Sequence, residues 1–130
     1  MTARAGSPVM TLQRLQRFSA AWTDADLGAL MSFMTEDCVY YASVGPEPGS
    51  TYRGRDEVRR GFAAALAYDR GRARRDGTAF ITGDVGVAEW SFYDGNPDGS
   101  GRLIRGCDIF EFAGDKIRKK DAFRKVFDDV

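Results

Sequence analysis

The apolar residues of this 130-residue chain change their spacing halfway along. In the first half they recur at helical intervals, with Leu12, Leu15, Phe18 and Trp22 in one stripe and Leu27, Leu30, Met31 and Phe33 in another. In the second half they alternate. Trp90 and Phe92 interleave with Glu89 and Ser91, the mark of a strand with one dry and one wet face. Ser7-Pro8 predicts the first helix start, and Asp24 the cap of the second. Residues 38–43 (CVYYAS) read as a strand, and 45–54 as a Gly/Pro loop. A third helix over 55–66 places Val58, Phe62 and Leu66 on one face. Strands are then expected over 72–82, 85–93, 103–112 and 116–127, the last two as a hairpin turning at Gly114-Asp115. Helices followed by a meander predict an α+β domain with its helices on one face of an antiparallel sheet.

The chain length predicts a single domain over 1–130, with 1–9 as a loose tail. No apolar run is long enough to cross a bilayer, and residues 1–10 carry no secretory apolar segment, so the cytoplasm is the expected location. Lys plus Arg and Asp plus Glu number 19 each, which argues against a nucleic-acid partner. Cys38 and Cys107 make no metal spacing; two reduced thiols on strands are expected, with a bridge between them left open.

Histidine is absent. That excludes Ser-His-Asp and Cys-His nucleophile systems and removes the commonest metal ligand. Any catalysis is left to carboxylates, Lys, Tyr or Cys, and neither a metal nor a cofactor is expected.

The final hairpin carries the most specific signal. With Gly114 and Asp115 as its two turn residues, Phe112 faces Ile117, Phe110 faces Lys119 and Asp108 faces Asp121. This side of the ribbon holds Phe110, Phe112, Ile117 and Phe123, and the other is mostly charged, so Asp108, Asp121 and Lys119 fall on the buried side. Directly opposed Cβ atoms lie about 4.5–5.5 Å apart. Two carboxylates that close cannot both ionise cheaply, and one protonated beside one ionised supplies a general acid and a general base. An ammonium from Lys119 would instead hold both ionised. The same three residues can equally form a satisfied polar cluster, and a register shift of one would turn every side chain of the strand over.

Weaker candidates surround this pair. Tyr40 and Tyr41 are neighbours on one strand, so one points inward as core or as a hydrogen-bond donor. The run RGRARR, residues 70–75, has the residues of a phosphate site but reads as a solvated strand face. Phe18, Trp22, Tyr40, Phe62, Trp90, Phe92 and Phe110, with Lys119, are the expected lining of a substrate pocket.

The segments FSAAWTDADLGALMSFMTEDCVYY, YRGRDEVRRGF, AEWSF and RGCDIFEFAGDKIRKKDAF together cover about residues 12–127. In order and spacing they resemble the nuclear transport factor 2-like superfamily, and within it the SnoaL-like and ketosteroid isomerase-related branch. The resemblance implies a cone-shaped curved sheet closed by three helices around an apolar pocket, and a homodimer formed through the outer sheet face. Ketosteroid isomerases are similar at Asp108 in DIFEF, which matches their oxyanion-hole aspartic acid. Phe18 and Ala42 fall where they carry a tyrosine and a general-base aspartate. Limonene epoxide hydrolases are similar at Asp121 before Ala122-Phe123, but Glu89 and Ser91 replace the rest of their triad. SnoaL-like cyclases also place an acid where Asp121 stands.

These readings converge on a cofactor-independent acid–base enzyme acting on a small, largely apolar molecule. The reaction would be an isomerisation, cyclisation, dehydration or epoxide opening, with Asp108 and Asp121 as the catalytic pair. The alternative is a non-catalytic ligand-binding or dimerisation module of the same fold.

Overall fold

A computed structural model describes residues 8–46, 49–95 and 101–126 of the chain. Three helices, α1 (Leu12–Thr23), α2 (Leu27–Ser32) and α3 (Arg55–Tyr68), pack on a six-stranded sheet. Its strands are β1 (Met34–Tyr41), β2 (Thr51–Arg53), β3 (Ala73–Thr82), β4 (Val85–Gly95), β5 (Gly101–Ala113) and β6 (Lys116–Val126). They lie side by side in the order β2-β1-β6-β5-β4-β3. The α+β class read from the sequence is the class observed. All neighbours run antiparallel except β1 and β6, whose pairing is parallel because the chain returns to β1 from the far side of the sheet.

Local chemistry moves several boundaries. The first helix is capped by Thr11, whose side chain accepts from the backbone N–H of Arg14; Ser7 lies outside the described residues. Asp24 closes α1 rather than opening α2, and Asp26 caps α2 by accepting from Ala29 N–H. The stretch read as loop contains β2, because Tyr52 of that edge strand pairs with Tyr40 of β1 and stacks on its ring at 5.8 Å. Ahead of α1, Met10 N–H donates to the carbonyl of Gly114 at 2.9 Å, tying the chain start to the β5–β6 turn.

The core sits between the helices and the inner sheet face. Phe18 is its centre, with ring centroids of Phe33, Phe110, Trp22 and Phe62 at 5.5, 5.8, 6.2 and 6.2 Å. Most of these contacts are edge-to-face, the arrangement that aromatic quadrupoles favour. Trp90, Phe92 and Ile104 form a second cluster toward the open end of the sheet. Gly106 permits it, since a Cβ there would collide with the Trp90 indole and the Phe123 carbonyl.

Because Phe18 is 1% exposed and joins α1, α3 and β5, Phe18→Ala should cost about 3–5 kcal/mol through the cavity it leaves. The midpoint of urea-induced unfolding measures this directly.

Candidate functional site

The β5–β6 hairpin begins as the sequence predicts, with Ala113 opposite Lys116 and Phe112 opposite Ile117. The register then shifts. Glu111 faces Lys119, Phe110 faces Lys120, Ile109 faces Asp121 and Asp108 faces Ala122. Arg118 is the extra residue of a β-bulge, and one extra residue reverses the facing of everything beyond it.

Three expectations are therefore corrected. Asp121 is not opposed to Asp108 inside the cone but points to the outer face. There it borders a hollow of about 250 Å³ with Tyr41, Ser50, Thr51 and Phe123. Partial burial there raises its carboxyl above the usual range, a rise that the nearby Lys119 ammonium opposes. Lys119 also points outward, with its Nζ 3.4 Å from a Glu111 carboxylate oxygen. Phe123, assigned to the buried side, is half exposed. Lys120, Ala122 and Arg124 take the inward positions.

The group that meets Asp108 is Lys120. Its Nζ donates to Asp108 Oδ1 at 3.1 Å, and both side chains are buried, at 4% and 6% exposure. Three aromatic rings surround the ammonium, with centroids of Trp22, Tyr40 and Phe62 at 4.3, 4.8 and 5.9 Å. Burial pushes the Lys120 amine below its usual value, and the attraction of Asp108 works against that shift. Arg74 and Arg124 are close enough for their charges to push it the same way as burial. Burial, and then the Asp108 charge, raise the Tyr40 phenol, so Tyr40 keeps its proton.

A second ionic group lies beside the first. Asp69, at the C-terminus of α3, accepts from Arg124 Nη2 at 2.9 Å and from Arg72 Nη1 at 3.1 Å. Arg124 also donates from Nε to Ser43 Oγ at 3.1 Å and lies 5.3 Å from the Trp90 ring. Arg74 reaches Thr23 Oγ1 at 3.0 Å and Asp76 Oδ1 at 2.5 Å through Nη1, while its buried Nε has no acceptor among the described residues.

Two spaces that share lining residues adjoin these charges. The inner one, between Tyr40, Trp90, Asp108 and Lys120, is about 20 Å³, room for a single water. The outer one, about 390 Å³, opens between α1, α3 and β3 and is lined by Leu27, Leu66, Arg70 and Arg72 among others. Trp22, Asp69, Arg74 and Phe92 border both.

Of the residues expected to line a pocket, Trp22, Tyr40, Trp90 and Phe92 border the inner space. Phe62 does not border it but lies in the core behind Lys120, its ring centroid 5.9 Å from the ammonium. Phe18 and Phe110 are solid core behind it. Sequence reasoning missed Lys120, Arg124, Asp69 and Arg74. No local signal in the sequence separates Lys120 from its polar neighbours Lys119 and Asp121, since the bulge that turns it inward is set by pairing with β5. The run 70–75, read as a solvated face, is divided, with Arg72 and Arg74 turned in and Arg70 and Arg75 exposed. Among the described residues no cluster of acidic and sulfur side chains could hold a metal ion. Cys38 and Cys107 are both free thiols, and among the described residues no helix is long and apolar enough to cross a membrane.

Known structures share this architecture. An NTF2-like protein of unknown function from Mesorhizobium loti is 22% identical, with a TM-score of 0.70 over 87% of this chain and 88% of its own. TerC, co-crystallised with polyporic acid, is 16% identical, with a TM-score of 0.68 over 88% of this chain and 90% of its own. SalBIII, an epoxide hydrolase/cyclase-like enzyme of pyran ring formation in the polyether salinomycin, is also 16% identical. Its TM-score is 0.68 over 87% of this chain and 88% of its own. No protein of curated function matches the chain in sequence. The profile of the SnoaL-like domain matches residues 15–120, nearly all of the folded part, and the chain belongs to that family, in the NTF2-like superfamily.

Proposed function

We propose that the protein is a cofactor-independent acid–base enzyme acting on a small, largely apolar molecule that enters the cone through the mouth between α1, α3 and β3. The observation that carries this reading is the buried Asp108–Lys120 pair at 3.1 Å, walled by Trp22, Tyr40 and Phe62. An ion pair in so dry a place contributes little net stability, because desolvation offsets most of its Coulomb attraction. A proton shared across it supplies both an acid and a base without histidine. In its neutral form Lys120, whose amine burial depresses, takes the proton from the substrate; Asp108 orients the ammonium so formed; and the protonated Tyr40 donates a hydrogen bond to the oxygen on which charge develops. Isomerisation, cyclisation, dehydration and epoxide opening all fit this set. SalBIII, an enzyme of pyran ring formation, and TerC, co-crystallised with polyporic acid, share the frame and support a small organic molecule as the ligand of the cone. Asp121, on the outer face, has no part in this mechanism.

Two observations favour a second reading, a non-catalytic ligand-binding or dimerisation module. The inner space holds only about 20 Å³, so a substrate must displace side chains to reach the pair. The outer sheet face exposes Phe80, Ile109 and Phe123 on one side of a row of Arg75, Ser91 and Arg105, and Tyr93 with Leu103 on the other, apolar surface suited to a second copy of the chain. A homodimer through this face belongs to both readings. The two free thiols suit the reducing cytoplasm.

The test is turnover and α-carbon deuterium exchange on a panel of epoxides and enolisable ketones, followed by NMR. Asp108→Asn and Lys120→Met should each lower the rate about 10²–10⁴-fold. Each single change leaves one buried group unpaired and should cost about 3–5 kcal/mol, whereas the double change should recover most of that stability while staying inactive. Binding without transformation across the panel would leave the module reading standing.

The pH dependence follows from Lys120. Its folded value lies below the ordinary 10.5, so in the interval between the two the unfolded chain binds more protons and stability rises with pH. Turnover should rise over a limb below 10.5 as the amine loses its proton, and Lys120→Met should abolish both slopes. A kcat profile paired with unfolding midpoints across pH reads both.

For the dimer, Ile109→Glu with Phe123→Glu places charge in the middle of the outer patch and should convert the protein to monomers. Sedimentation equilibrium distinguishes the two states.

A further inference from the structure

We propose that Lys120 is a nucleophile, that the molecule taken by the cone is a small ketone or aldehyde, and that the two condense to an iminium ion. This inference rests on the acid–base reading above and narrows its substrate to carbonyl compounds.

Lys120 Nζ lies 3.1 Å from Asp108 Oδ1 and is enclosed by the rings of Trp22, Tyr40 and Phe62. Lys120 and Asp108 both border the inner space. A lysine attacks carbon only as the free amine, and desolvation or a neighbouring cation brings it to that form. Both conditions hold here: the side chain is 4% exposed, and Arg74 and Arg124 border the same space. Lys116 and Lys125 are exposed and Lys119 partly so, and none of them has this setting.

The ammonium proton passes to Asp108 along their hydrogen bond, leaving a free amine and a carboxylic acid. Nζ adds to the carbonyl carbon and a C–N bond forms, while the carbonyl oxygen takes a proton from the nitrogen to give a carbinolamine. Asp108 protonates that hydroxyl, the C–O bond breaks, water leaves, and the nitrogen lone pair closes the iminium. One cation beside one carboxylate therefore stands at the start and at the end. The aromatic faces that hold an ammonium hold an iminium in the same way, because each attracts a cation. The buried pair is thus never left as a lone charge, the costly arrangement in a dry interior. The inner space, about 20 Å³, has room for the one water released. The iminium then acidifies its α-carbon, and the restored Asp108 carboxylate is the base beside it.

The body of the molecule belongs in the outer space of about 390 Å³, where Leu27, Ala63 and Leu66 give an apolar wall. Trp22 and Phe92 border both spaces and are the side chains that must turn aside to admit it.

The test uses the full chain with cyclohexanone and 2-tetralone, in water labelled with heavy oxygen and in deuterium oxide, followed by reduction with sodium cyanoborohydride. Iminium formation exchanges the carbonyl oxygen with water, whereas proton transfer without a C–N bond leaves that oxygen in place. The label should enter the ketone about tenfold or more faster than in buffer alone. Reduction should add the mass of the ketone less its oxygen, and peptide mapping should place it on Lys120 rather than on Lys116, Lys119 or Lys125. Lys120→Arg keeps a cation beside Asp108 without a free amine and should lose both signals. Mapping of the unaltered chain stands even where that variant fails to fold. Exchange of α-deuterium with neither oxygen label nor adduct overturns the iminium and leaves the acid–base reading. An adduct spread over all four lysines also overturns the iminium. Absence of both exchanges and of any adduct overturns this inference together with the acid–base reading on ketones.

Discussion

The extra residue at Arg118 governs which side chains of the last strand enter the cone, and the chemistry of the interior follows from it. A bulge adds one residue to one strand without adding one to its partner, so the alternation of faces reverses beyond it. Before the bulge Ile117 fills the core; after it Lys120, Ala122 and Arg124 point inward. The pairing of β1 with β6 is irregular over the same stretch, between Met34 opposite Ile117 and Val39 opposite Lys119. Without the bulge the inward positions would hold Lys119, Asp121 and Phe123, a different set of groups.

The interior so formed is unusual for a small domain in burying charge at two adjacent places. Taking an ammonium and a carboxylate out of water costs several kcal/mol per ion, and only close geometry with further partners offsets it. Lys120 has those partners, a carboxylate at 3.1 Å and the faces of three aromatic rings. Asp69 has two guanidinium groups. Arg74 has a carboxylate at one end of its fork and none at Nε. Such an interior is stabilised chiefly by its aromatic core around Phe18, and the charged groups occupy its open end.

The family frame and the family chemistry separate in this chain. Phe18 and Ala42, which the sequence resemblance sets against a phenol and a carboxylate of ketosteroid isomerases, are buried and carry neither group. Asp108 keeps its place on β5 and acquires a lysine as neighbour. A frame whose curvature is set by backbone pairing tolerates such exchange, because the sheet does not depend on which polar groups line its open end.

The sequence alone determined the fold class, the element order, the aromatic core and the inward position of Asp108. These follow from local periodicity, and each strand or helix carries its own pattern of apolar residues. It could not place β2, since a three-residue edge strand has too little pattern to recognise. Nor could it identify the partner of Asp108. Lys119, Lys120 and Asp121 are consecutive polar residues, and local chemistry is indifferent to which of them turns inward. Only the tertiary structure decided that, because the facing of β6 is fixed by hydrogen bonds to β1 and β5, strands distant in the chain, and by a bulge that their combined register requires.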